Sequence, residues 1–158
     1  MGVYKKLKIK MPIIYGRRFA HYIGEVIQIE EIWKPIKNYE GLYEVSNLGR
    51  IKGVTRYVKG KVGYRIQKEK IRKCEVSSNG YLHVLLCKNG KYTTHNVHRL
   101  VAEAFIPNPD NLPEINHKDE NKENNCVDNL EWCTRKYNMN YGTTQSRIHN
   151  KYWMLNQQ

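Results

Sequence analysis

Two short strand-like segments, Ile115 to Lys118 and Leu130 to Cys133, bracket a run of Asn, Asp and Glu too polar to enter a core, and this constrains the fold most. Each segment has the length of a short strand, and the polar run between them must be a loop. Thr134 follows the second segment, and its hydroxyl suits a helix N-cap. A helix is therefore expected from Arg135, carrying Asn138 in its first turns and fraying near Gly142. Two strands and a helix in some thirty residues form a ββα unit.

Upstream, Tyr81 to Cys87 and Tyr92 to Val97 flank Asn89-Gly90, the preferred centre of a type I′ hairpin turn. His98 to Ile106 reads as a short amphipathic helix stopped by Pro107 and Pro109. Leu42, Tyr43 and Val45 suggest a strand, Ser46-Asn47-Leu48-Gly49 a turn, and Arg50-Ile51-Lys52 a second strand. From there to Lys73 the chain suits a flexible basic connection or ribbon. Residues 1–30 begin as a basic arm, with Ile23 to Ile29 alternating as a strand would. The fold class is α+β.

Charge narrows the partners. The chain of 158 residues carries 27 Lys and Arg against 15 Asp and Glu, a net +12. Residues 50–73 hold ten bases against Glu69 alone, whereas residues 103–131 hold eight acids against Lys118 and Lys122. A basic body suits a polyanion, nucleic acid above all, and an acidic, amide-rich patch suits a divalent cation. A basic protein without such a partner is the plainer alternative. No apolar run approaches membrane-spanning length and no signal peptide is evident, so a cytoplasmic protein with reduced thiols and no membrane partner is expected. Six residues separate Cys126 from Cys133, and twelve separate Cys74 from Cys87, wider than the usual zinc pairs. Zinc is not expected.

Within the polar run, a neutral His117 is suited to take a proton from water. Asn116 and Asn138 offer amide oxygens to one Mg²⁺, with Mn²⁺ able to substitute. Together these are the elements of phosphodiester hydrolysis. Neighbouring strand residues point to opposite faces, so Asn116 and His117 serve one site only if the strand ends or twists there. Asn129 reads as structural, tying the loop that holds His117; Asp119 orients groups or bonds the loop; His98 is a supporting or packing histidine. The same residue types also allow an exposed loop histidine among turn-forming amides. Leu130 and Trp132 are core, and His83 and His95 carry no assignment.

The run from His98-Arg99-Leu100-Val101-Ala102 through Ile115-Asn116-His117-Lys118-Asp119 to Asn129-Leu130-Glu131-Trp132 resembles the HNH endonucleases of bacteriophages, the homing type above all. The segment Trp33-Lys34-Pro35-Ile36 with Tyr39 to Ile51 is similar to the DNA-binding module that often precedes that motif. The resemblance implies a ββα-metal (His-Me finger) unit and Mg²⁺-dependent cleavage of duplex DNA. It makes His117 the general base, Asn138 a metal ligand and Asn129 the structural middle residue. The other ligand, often Asp in the family, is the neutral Asn116. Glu120 stands where the family often has Gly, so a less sharply turned loop is expected.

The implied organisation is a basic extension over 1–30, a DNA-binding module over 31–75, a nuclease domain over 76–146 and a tail over 147–158. DNA contacts are expected from Asn47, Arg50, Lys52, Arg56, Lys59, Lys61, Arg65, Arg99 and Arg135. Relatives often add a C-terminal helix-turn-helix, whereas about a dozen residues follow Gln145 here. Looser specificity or help from a phage or host protein is therefore expected, with monomer and homodimer both open. A non-catalytic DNA-binding regulator and an RNA-directed protein are the competing functions.

Overall fold

Among the described residues, regular structure begins with three short strands, the second and third of which bury alternate positions. The structure is a computed structural model that describes residues 30–142; the strand expected over Ile23 to Ile29, the basic arm before it and the residues from 143 on lie outside the described residues. Strands β1 (Trp33–Pro35), β2 (Tyr43–Ser46) and β3 (Ile51–Gly53) form an antiparallel meander. Val45 of β2 and Ile51 of β3 are cross-strand partners and wholly buried. The turn between them is the expected Ser46 to Gly49, with Gly49 at φ +80°.

The basic stretch that follows is a ribbon. Strands β4 (Arg56–Lys59) and β5 (Tyr64–Gln67) pair only with each other, and β6 (Lys70–Ile71) returns to the edge of β3. Tyr57, Lys59, Tyr64 and Ile66 share one ribbon face by register. Tyr57 is 74% exposed, Tyr64 75% and Val62, at the tip, 96%.

Strands β7 (Glu75–Val76), β8 (Leu82–Lys88) and β9 (Lys91–Asn96) make a second antiparallel sheet. The β8–β9 hairpin turns on Asn89 at φ 52° and Gly90 at φ 77°, the left-handed pair that a type I′ turn needs. Helix α1 (Val97–Phe105) follows at once and buries Val97, Leu100, Val101 and Ala102. Its chain then leaves through the proline loop to β10 (Glu114–His117), which pairs with β11 (Leu130–Cys133). A 3₁₀ turn at Val127–Asn129, not anticipated from the sequence, delivers the chain to β11. Helix α2 (Arg135–Asn140) packs against β10, and the Thr134 hydroxyl accepts from the Tyr137 amide at 3.1 Å as its cap.

One hydrophobic cluster joins these parts. Val45 and Ile51 of the first sheet, Val84 and Leu86 of β8, the α1 face, Ile115 and Leu130 all belong to it. Each buried large aliphatic contributes roughly 1.5–3 kcal/mol. The described residues from Ile32 onward accordingly group as one compact unit.

Candidate active site

Register decides what β10 presents on each face. Asn116 stands opposite Glu131 and His117 opposite Leu130. Glu114 and Asn116 therefore share one face, and Ile115 and His117 the other. On the first face, Asn116 Nδ2 donates to Glu131 Oε1 at 2.8 Å, and Asn138 Nδ2, from α2, donates to Glu114 Oε2 at 2.7 Å. In both cases a carboxylate takes the amide N–H and turns the carbonyl oxygen away as the remaining donor atom. Amide and carboxylate oxygens are the hard donors that suit Mg²⁺ or Mn²⁺, so the chemistry of these four residues fits such an ion. Glu131 and Glu114 bring the negative charge that Asn116 lacks. Among the described residues no group of three His, Cys, Asp or Glu forms a metal cluster, and the four cysteines are free thiols.

His117 closes β10 on the opposite face and is only 5% exposed, which removes the alternative of a loop histidine in solvent. Its Nε2 lies 3.0 Å from Asn125 Oδ1. The Asn125 amide is oriented by its own Nδ2, which donates to the Glu123 carbonyl at 3.3 Å. An amide oxygen only accepts, so Nε2 is the nitrogen that donates in this pair, and the neutral form of the ring has its lone pair on Nδ1. That is the protonation a general base requires. Two further rings pack against it: His98, edge-on with centroids 5.3 Å apart, and Tyr81 at 5.9 Å. Tyr81 also lies against His98 at 4.9 Å, with the Lys122 ammonium 4.5 Å from its centroid. His98 Nδ1 is buried without a hydrogen-bond partner. Burial, then the neighbouring His117 and Arg99, lower the His98 pKa from 6.5 to about 4, so this ring is neutral at pH 7.

Asn129 ties the loop from both sides. Its Oδ1 accepts from the Asp119 amide at 3.0 Å, and its Nδ2 donates to Asp119 Oδ1 and to the Asn124 carbonyl, both at 2.8 Å. The Asp119 carboxylate also accepts from Asn124 Nδ2 at 2.6 Å and the Asn121 amide at 2.8 Å, and these bonds hold its pKa below the usual range. Asn129 thus acts on the loop backbone, while Asn125 touches the imidazole. The loop is sharply turned despite Glu120, contrary to expectation: Glu120 adopts φ 60° and its amide donates to the His117 carbonyl at 3.0 Å. A left-handed non-glycine residue costs about 1–2 kcal/mol, which the surrounding loop network offsets.

The comparisons with known proteins cover the same segments. A NUMOD4 motif matches residues 31–87, and an HNH endonuclease domain matches residues 95–140. The chain is 40% identical over 107 residues to DNA endonuclease I-HmuI of Bacillus phage SP01, covering 68% of this chain and 55% of that protein. It is 42% identical over 112 residues to an HNH endonuclease of Acanthamoeba polyphaga mimivirus, covering 71% of this chain and 30% of the relative. A solved structure of DNA binding and cleavage by the HNH homing endonuclease I-HmuI superposes with a TM-score of 0.59 at 35% identity, covering 79% of this chain and 68% of that one. The chain belongs to the HNH endonuclease family. It spans about half or less of the length of these curated relatives, 55% and 30%.

Within the NUMOD4 segment the basic candidates divide into two sets. Asn47, expected on DNA, is buried, and its Oδ1 accepts from the Ile32 amide at 2.8 Å. Lys52 is ion-paired with Glu44 at 3.0 Å and lies 4.6 Å from the Trp33 ring, its side chain 18% exposed. Arg56 donates to the Leu42 carbonyl at 3.3 Å and lies over Tyr43. These three face the protein because a short twisted sheet needs polar ties across its edge. Arg50, exposed, lies over Trp33 at 5.6 Å, and Lys59, Lys61 and Arg65 stand exposed on the ribbon. In the HNH segment Arg99 is exposed, donates to the Pro113 carbonyl at 3.2 Å and lies over Trp132, and Arg135 is exposed at the start of α2.

Four site residues are not apparent from the sequence alone. Glu114 and Glu131 had a usable signal, since they lie two residues before Asn116 and directly opposite it in a predicted hairpin. Asn125 and Tyr81 had none, because their contacts with His117 are made across loops.

Proposed function

We propose that the protein is a metal-dependent endonuclease that hydrolyses phosphodiester bonds of duplex DNA. The observation that carries this reading is the contact of His117 Nε2 with Asn125 Oδ1 at 3.0 Å, at the end of β10, which leaves Nδ1 as the nitrogen that can accept a proton. In this reading His117 is the general base that takes the proton of the attacking water. Its burial against His98 and Tyr81 keeps the ring in one posture, which is the geometric part of its catalytic contribution. Asn116 and Asn138 hold the cation of a ββα-metal site, each oriented by a carboxylate. A divalent cation bound there supplies the positive charge that stabilises the leaving 3′-oxygen. The exposed bases of the ribbon, with Arg50, Arg99 and Arg135, hold the DNA phosphates. The relationship to I-HmuI, whose solved structure concerns DNA binding and cleavage, supports DNA as the substrate.

The test is incubation of supercoiled plasmid with purified protein and Mg²⁺ or Mn²⁺. Conversion to nicked or linear DNA, abolished by EDTA and by His117→Ala, is the expected result. Cleavage that survives either control overturns the mechanism, and binding without cleavage makes the protein a non-catalytic DNA binder.

A further inference from the structure

The support of His117 does not end at Asn125. The Ser46–Arg50 turn belongs to the NUMOD4 segment, and it lies directly against the loop that carries Asn125. Three consecutive residues of the turn meet three consecutive residues of the loop. The Asn47 carbonyl accepts from the Val127 amide at 2.8 Å, Cys126 Sγ lies 3.9 Å from the Leu48 carbonyl, and Gly49 abuts Asn125. The last approach is close enough to exclude any side chain: a Cβ on Gly49 would stand 2.9 Å from Asn125 Cβ and 3.1 Å from its carbonyl oxygen. Gly49 also has φ +80°, so both its backbone and its surroundings call for glycine.

The turn is itself rigid. Ser46 Oγ accepts from the amides of Leu48 and Arg50 at 3.3 and 3.0 Å, and the Ser46 amide donates to the Arg50 carbonyl at 2.9 Å. The Asn47 side chain anchors it to Ile32. A rigid turn pressed onto Asn125, whose oxygen receives the His117 proton at 3.0 Å, leaves the imidazole little freedom.

We propose that the Ser46–Arg50 turn is the seat of the catalytic base, with Gly49 and Asn125 as positioning residues that act through His117. The proposal rests on the nuclease reading above. It gives the NUMOD4 segment a part in the chemical step besides any binding of DNA.

The experiment measures single-turnover cleavage, DNA affinity without metal, and the His117 tautomer by long-range ¹H–¹⁵N correlation. Gly49→Ala is expected to lower the cleavage rate at least about tenfold with DNA affinity within about twofold, and to convert the single Nε2–H tautomer into a mixture. Gly41→Ala is the control: Gly41 has φ +71° but nothing within 4 Å of an added Cβ, so it carries the backbone strain without the clash. Its rate and tautomer are expected to match wild type. Asn125→Ala should lose rate as Gly49→Ala does, and Asn125→Asp, which keeps an acceptor oxygen, should recover part of it. Should Gly49→Ala fail to fold, Asn125→Ala decides, since it introduces no clash. An unchanged rate and tautomer in Asn125→Ala overturns the proposal, as does a Gly49→Ala that loses affinity alone. A wild-type protein that shows the tautomer change on Gly49→Ala but cuts no DNA would retire the nuclease reading and leave the seat standing.

Discussion

His98 is the residue whose environment makes the clearest demand on pH. Its pKa falls from 6.5 to about 4 because burial and neighbouring His117 and Arg99 disfavour its charge. Between these values the unfolded chain binds more protons than the native one, so stability falls as pH falls. The contribution is fully present above pH 6.5 and is lost as pH drops through about 4, on the order of 3 kcal/mol in all. Replacing the ring with a non-titrating one of similar shape, His98→Phe, should remove that part of the slope in denaturant unfolding measured from pH 7 to 4. An unchanged slope would contradict the burial argument. At this scale the sequence was only partly legible. His117 stood out as the sole histidine between His98 and His149, whereas Asn116 and Asn138, among several Asn, were marked out by their oxygen donors and the resemblance to HNH endonucleases. The ties that Asn47 and Lys52 make to Ile32 and Glu44 were not legible, because an exposed-looking polar residue in a short sheet also serves to join its edges.

At the scale of elements, local signals were strong. Asn89-Gly90 dictates its hairpin through two left-handed residues in sequence, and Thr134 caps α2 through a bond to Tyr137 three positions on. Such bonds span few residues, so pattern alone reveals them. The β4–β5 ribbon is the element whose role is most open to direct measurement. It pairs with no other strand, and Lys59, Lys61 and Arg65 stand exposed on it. If these three neutralise phosphates, their joint replacement by Ala should weaken DNA binding at low salt. It should also reduce the slope of log affinity against log salt by about 0.9 for each phosphate no longer neutralised. Titrations at several salt concentrations read this directly, and an unaltered slope would place the phosphate-binding groups elsewhere.

At the scale of the whole molecule, the NUMOD4 and HNH segments share a core and meet at the loop that holds His117. Val45 and Ile51 pack in the same cluster as Leu100, Ile115 and Leu130, and Gly49 lies against the loop that holds His117. Neither fact was legible, because both depend on packing between residues far apart in sequence. A fragment of residues 76–146 lacks Val45 and Ile51, each contributing roughly 1.5–3 kcal/mol against a total stability of about 5–15 kcal/mol. It should therefore show no cooperative thermal transition by near-ultraviolet circular dichroism, where the full chain shows one. A cooperative fragment would mean that the core divides. The central claim, however, is chemical: in the proposed reading a base at the end of β10, the strand that also carries the ligand Asn116, cuts DNA. The most direct measurement is the single-turnover rate of strand cleavage on end-labelled duplex DNA with Mn²⁺, for wild type and His117→Ala side by side. The account predicts a loss of about 10²–10⁴-fold in rate with DNA affinity unchanged; equal rates for the two proteins would contradict it.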